Sequence, residues 1–157
     1  MAVESKTATN LTADPSVNGY AKSVKNQPFT VEVSAAASVS SSYTLGYAPT
    51  SARFGGLARL YWDDMATSGS PTLDIGVGGT SFTFDDDKLN DGLDLATVNT
   101  TSGVRLIKDI ANQHKRLWEL AGLTSDPGEV WVIKGVIRDA AVIAGGTLSG
   151  DLAYTTD

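Results

Sequence analysis

The chain has 157 residues, enough for one domain that buries roughly 70% of the surface its unfolded form exposes. Its 18 acidic against 12 basic side chains leave a net charge of −6, which argues against nucleic acid or an anionic membrane as partner. No cysteine is present, so disulfides and thiolate metal sites are excluded and packing alone must hold the fold.

Residues 1–28 are rich in Ser, Thr, Asn and Lys, with scattered apolar residues and two prolines. Such a stretch cannot bury enough surface to form a core, so it reads as an extended N-terminal arm preceding a domain over 29–157. It has no apolar run of signal-peptide type, and no later run nears the roughly 18 apolar residues of a membrane span. A soluble protein without a cleaved signal is expected. The sequons at Asn10 and Asn99 are read as coincidences of a Thr-rich chain.

From Phe29 the chain alternates. Phe29, Val31 and Val33 share one face of a strand, and Tyr43, Leu45 and Tyr47 repeat the device up to Pro49. The segment 54–62 is more continuously apolar, as expected of a strand covered on both faces or lying against a subunit. Asp63 and Asp64 end it, and Leu73, Ile75 and Val77 alternate again. Gly78-Gly79 predicts a tight turn, with Phe82 and Phe84 starting the return strand.

Spacings of three and four among Ile107, Ile110, Ala111, His114, Leu117, Trp118 and Ala121 predict a helix over 107–121, capped by Gly122. After the turn Asp126-Pro127-Gly128, one strand face carries Val130, Val132, Lys134, Val136 and Arg138, and the other Trp131, Ile133, Gly135 and Ile137. A last strand, 148–154, is expected to pair with it as a hairpin. About eight strands and a single helix describe an all-β fold, one β-sandwich of jelly-roll or immunoglobulin-like type.

Chemistry is sparse. His114 is the single histidine, with no second His or Cys to share a metal or activate a nucleophile. The glycine pairs lack a phosphate-loop Lys-Ser/Thr and open no helix. The acidic run Asp85-Asp86-Asp87-Lys88-Leu89-Asn90-Asp91-Gly92, with Asp94 beyond, could wrap calcium but departs from the EF-hand order; a solvated acidic loop is the plainer reading. Asp63 and Asp64 could serve as glycosidase carboxylates, yet nothing fixes their separation. No catalytic residue, cofactor or metal is therefore assigned, and a non-enzyme is expected.

Two stretches resemble small virion proteins of tailed bacteriophages: Ala58-Arg59-Leu60-Tyr61-Trp62-Asp63-Asp64 running into 70–76, and Lys115-Arg116-Leu117-Trp118-Glu119-Leu120-Ala121-Gly122-Leu123 running into Asp126-Pro127-Gly128. The likeness spans about residues 40–154 and is greatest to head decoration, or cement, proteins. It implies a compact β domain, often a homotrimer, that sits in the virion and clamps neighbouring major capsid protein subunits. A neck, tail or fibre component is the nearest alternative, and a carbohydrate-binding module a third. Tyr61, Trp62, Trp131 and Ile133 are the interface candidates, being apolar residues on segments whose two faces cannot both be assigned to one small core.

Overall fold

A computed structural model of the chain describes residues 3–8, 24–65 and 69–156. Nine strands form two sheets: β1 (Ser5–Thr7), β2 (Pro28–Val33), β3 (Ser42–Pro49), β4 (Arg59–Trp62), β5 (Thr72–Gly78), β6 (Asp85–Asp94), β7 (Asn99–Arg105), β8 (Val130–Arg138) and β9 (Gly146–Asp151). The five-stranded sheet runs β1-β3-β8-β5-β6 and the four-stranded sheet β2-β9-β4-β7. All pairings are antiparallel except β1 on β3. The all-β sandwich expected from the alternation is the observed architecture.

Alternation becomes burial directly in β2, where Phe29, Val31 and Val33 point inward while Pro28 and Glu32 are exposed. Leu73, Ile75 and Val77 of β5 and Trp131, Ile133 and Ile137 of β8 meet them in one apolar cluster with Leu60, Leu148 and Tyr154. In β3 the alternation breaks. The register with β8 shifts between Thr44 and Gly46, and this bulge turns Ala48 inward and leaves Tyr47 half-exposed, unlike Tyr43 and Leu45. β4 is covered on one face only, by Leu60 and Trp62, with Arg59 and Tyr61 outward.

Three expectations need correction. The helix over 107–121 is a 3-10 turn at Ile110–Asn112 followed by a single α-turn, α1 (Leu117–Leu120). Ile110 is 75% exposed, and Ala111 and His114 are exposed with it, so the spacing joins the buried Ile107 and Leu117 into no continuous buried face. Asp109 caps the first turn by accepting from the Ala111 N–H at 2.9 Å, and Glu119 restarts the chain by accepting from the Arg116 N–H at 2.6 Å. Gly122 does end the helix, at φ +76°.

The expected hairpin between the last two strands does not form: β9 lies between β2 and β4 in the opposite sheet. Residues 139–145 cross over, held by the Val142 N–H on the Ala37 carbonyl (2.9 Å) and the Ala144 N–H on the Met65 carbonyl (3.3 Å). Finally, the return strand after β5 begins at Asp85 rather than at the phenylalanines, and the acidic run expected as a loop is β6 itself. Ile75 to Val77 of β5 opposes Asn90 to Asp85 of β6, so the extra residues bulge out of the ladder.

Within the expected arm, residues 5–7 add β1 to the edge of β3, and Lys25 bridges Tyr154 ahead of β2. Residues 9–23 lie outside the described residues.

Candidate functional site

The four apolar interface candidates fall in very different places. Trp131 and Ile133 have no exposed surface, and Trp62 has 4%. Trp131 stacks on Phe82 at 5.4 Å and donates from Nε1 to Glu129 Oε2 at 2.9 Å, while Trp62 Nε1 donates to the Thr97 carbonyl at 2.8 Å. Such enclosed side chains have no area to offer a partner, so these three are core residues and an interface must be sought elsewhere. Tyr61 alone remains half-exposed, its ring laid over Gly103 where a Cβ would stand 2.6 Å from it. Asp63 is tied to β9, accepting from the Thr147 N–H at 3.1 Å; His114 is exposed.

The start of β6 forms an acidic bulge on the outer face of the five-stranded sheet. Gly76 and Gly78 of β5 point outward, and the backbone of 84–86 passes directly over them, with Asp85 O and Phe84 Cα within 2.5 Å of where each Cβ would stand. Only glycine permits this approach. Asp85, Asp86 and Asp87 place carboxylate oxygens within 4.8 Å of one another. Asp86 pairs with Arg138, which also lies 3.6 Å from Asp74, and Asp85 lies 3.4 Å from Lys88. The hydrogen bond between Asp85 and Asp87 raises Asp87 above the usual carboxylate range, with burial adding to it. In Asp85 burial pushes upward, but the bonds from Asp87 and Lys88 outweigh it and the group is lowered.

Toward the end of β6, its free edge and that of β7 leave a seam. A cleft of about 500 Å³ opens there, lined by Arg59, Arg105 and Lys108, by the acidic Asp91, and by Leu93 and Val104. A second depression of about 330 Å³ continues it past Leu93 and Val104 toward Trp62 and Val98, and Val98 is 55% exposed. Asn90 stitches the two edges by donating from Nδ2 to the Arg105 carbonyl at 3.0 Å. Arg59 and Arg105 are register partners across β4 and β7, so both side chains emerge on one face.

The sandwich is similar to a chain of the cyanophage Pam1 capsid asymmetric unit. The two superpose with a TM-score of 0.60 at 17% identity, and the match covers 93% of this chain and 93% of the Pam1 chain. No protein-family model and no curated protein matches the sequence. At this identity the likeness to the Pam1 chain is one of fold, so side-chain roles must come from the residues themselves. The cationic seam was missed in the sequence. Arg59 occupies an outward position of a readable strand, but its partner Arg105 lies on the polar strand β7, whose pairing no local pattern announces.

Proposed function

We propose that this chain is a decoration, or cement, protein of a tailed-phage head: it assembles with copies of itself, binds the outer surface of the capsid and stabilises the shell without catalysing a reaction. The observation that carries this reading is the fold likeness, across 93% of both chains, to a chain of the Pam1 capsid asymmetric unit. The virion-protein resemblance of residues 58–64 and 115–128 supports it independently. So does the placement of the reactive side chains, because His114 is exposed and Asp63 is held by a backbone N–H of the neighbouring strand.

The physical mechanism is mass action. A protein that binds the intact shell but not its separated subunits shifts the equilibrium toward the shell. Several weak contacts per oligomer multiply into firm attachment.

The test is to add the purified chain to capsids that lack it and to follow their disruption by heat or pressure. Raised resistance is expected, and unchanged resistance would remove the mechanism. Immunogold labelling of intact particles then reads position. Label spread over the head is the expected result, whereas label confined to the neck or tail transfers the protein to those structures. Unlabelled particles together with a glycan-dependent quench of tryptophan fluorescence would make it a carbohydrate-binding module.

A further inference from the structure

The open seam carries a charge arrangement that the fold itself does not use. Arg59 and Arg105 stand directly opposite each other on β4 and β7, and like charges in that relation repel. Their hydrogen bonds go to neutral acceptors: Arg59 to the Ser102 and Gly103 carbonyls at 3.3 Å, and Arg105 to Gln113 Oε1 at 3.2 Å. Lys108 joins them in the cleft with Nζ 2.6 Å from the Asp91 carbonyl. Among the described residues, none of the three cations is in an ion pair. Asp151 is the register neighbour of Arg59 on its other side, yet Asp151 Oδ1 is enclosed without a hydrogen-bond partner and Arg59 turns toward β7 instead.

The outer face of the other sheet carries the opposite surplus. Lys88 pairs there with Asp85, and Arg138 with Asp86 and the buried Asp74; Lys134 lies over the Phe84 ring beside them, and Asp87 is in no ion pair among the described residues. In a chain of net charge −6, a cleft carrying three cations and one carboxylate, Asp91, toward the end of β6 and an acidic bulge at the start of the same strand are complementary to each other between copies.

We infer that a second copy of this chain seats its acidic bulge in the cationic cleft, with Asp85 and Asp87 of one copy facing Arg59, Arg105 and Lys108 of the next. The inference rests on the self-assembly part of the proposed function. Two different patches meeting head to tail can close a ring of three, and meeting reciprocally they can close a pair. Leu93 and Val104 in the cleft lining add apolar area to the ion pairs.

Sedimentation velocity on the full chain tests it. The wild-type chain should associate, and association should weaken as salt rises from roughly 0.05 to 0.5 M. Arg59→Glu with Arg105→Glu should lower the association constant about tenfold or more, and so should Asp85→Lys with Asp87→Lys; Asp86 is spared because it holds Arg138. An equimolar mixture of the two variants should recover pairwise association, because each presents what the other has lost, while a closed ring of three keeps one like-charged contact and recovers only in part. Should the reversed arginine variant fail to fold, Arg59→Gln with Arg105→Gln reads the same contact through a smaller drop.

A wild-type chain that stays monomeric overturns the self-assembly reading and this inference together. Association that survives both reversals overturns the inference alone. Unchanged self-association with lost binding to bare capsids would assign the cleft to an acidic segment of the shell instead of a second copy.

Discussion

The two seams of this sandwich are built on opposite terms. Where β1 and β3 meet β2, charged and polar side chains reach across. Glu4 Oε1 accepts from the Ser34 N–H at 2.9 Å and from the Tyr43 hydroxyl at 2.5 Å, and Lys6 Nζ donates to the Glu32 carbonyl at 3.0 Å and to Ser34 Oγ at 2.7 Å. Lys6 and Glu4 also pair at 3.1 Å. Where β6 meets β7, Asn90 makes the described stitch and the neighbouring arginines face each other. One seam pairs its charges within the chain and the other leaves its arginines on neutral acceptors, which is where the proposed second copy would act.

Both seams close over the same core, and the largest expected effect tests that. Trp131→Ala leaves a cavity against Gly79 and Phe82 and frees Glu129 of its indole partner. A loss of about 3–5 kcal/mol in unfolding free energy is expected, read by denaturant titration of the monomeric chain. Hydrogen exchange should accelerate in β1 and β7 alike. A stable monomer that merely fails to assemble would mean that Trp131 contributes to an interface after all.

Glu4→Ala separates the seams. Removing this carboxylate leaves the fully buried Tyr43 hydroxyl without its acceptor, a loss of about 1–3 kcal/mol. Exchange should rise in β1 and in the facing residues of β2 while β7 stays unchanged. Equal acceleration at both seams would deny the latch its local character.

Acidification gives a milder version of the same cut. Burial pushes the Glu4 carboxyl upward, but the bonds from Tyr43, Ser34 and Lys6 outweigh it and hold the group at about 2, against an ordinary 4.5. A depressed folded value means stability that is present above pH about 4.5 and is lost as pH falls toward about 2. The difference between wild type and Glu4→Gln should therefore shrink over that window by on the order of 2 kcal/mol. A difference independent of pH would place the ionised form outside the latch.

What could be read in advance follows the physics of each strand. β2 and β5 were legible because their apolar residues alternate and one face of each meets the core. β6 was not, because aspartates disfavour strands, and its place comes from lying over Gly76 and Gly78, a contact between distant turns of the chain. β7 is an edge strand of Thr, Ser and Gly whose exposure leaves no apolar pattern to detect. The aromatic candidates misled for a related reason: two apolar faces on one segment suggested a subunit contact, whereas Trp62 and Trp131 are swallowed by one core and the outward valines Val130 and Val132 are only partly covered. The cationic cleft needed the register of β4 on β7, which only the assembled sheet supplies.

The smallest expected change in folding stability is also the most discriminating. Arg59→Gln with Arg105→Gln removes two like charges that repel across β4 and β7, together with their hydrogen bonds to the neutral Ser102, Gly103 and Gln113 oxygens. Monomer stability should stay within about 0.5 kcal/mol of wild type or rise slightly, as read by chemical denaturation at low protein concentration. The matching change at the latched seam, Glu4→Ala, is expected to cost several times more. If neutralising the arginines destabilises the monomer as much as cutting the latch does, their charges serve the fold, and the two seams are alike. If it does not, the chain maintains a repulsive pair that its own folding has no use for, and surface recognition is the physical role left for it.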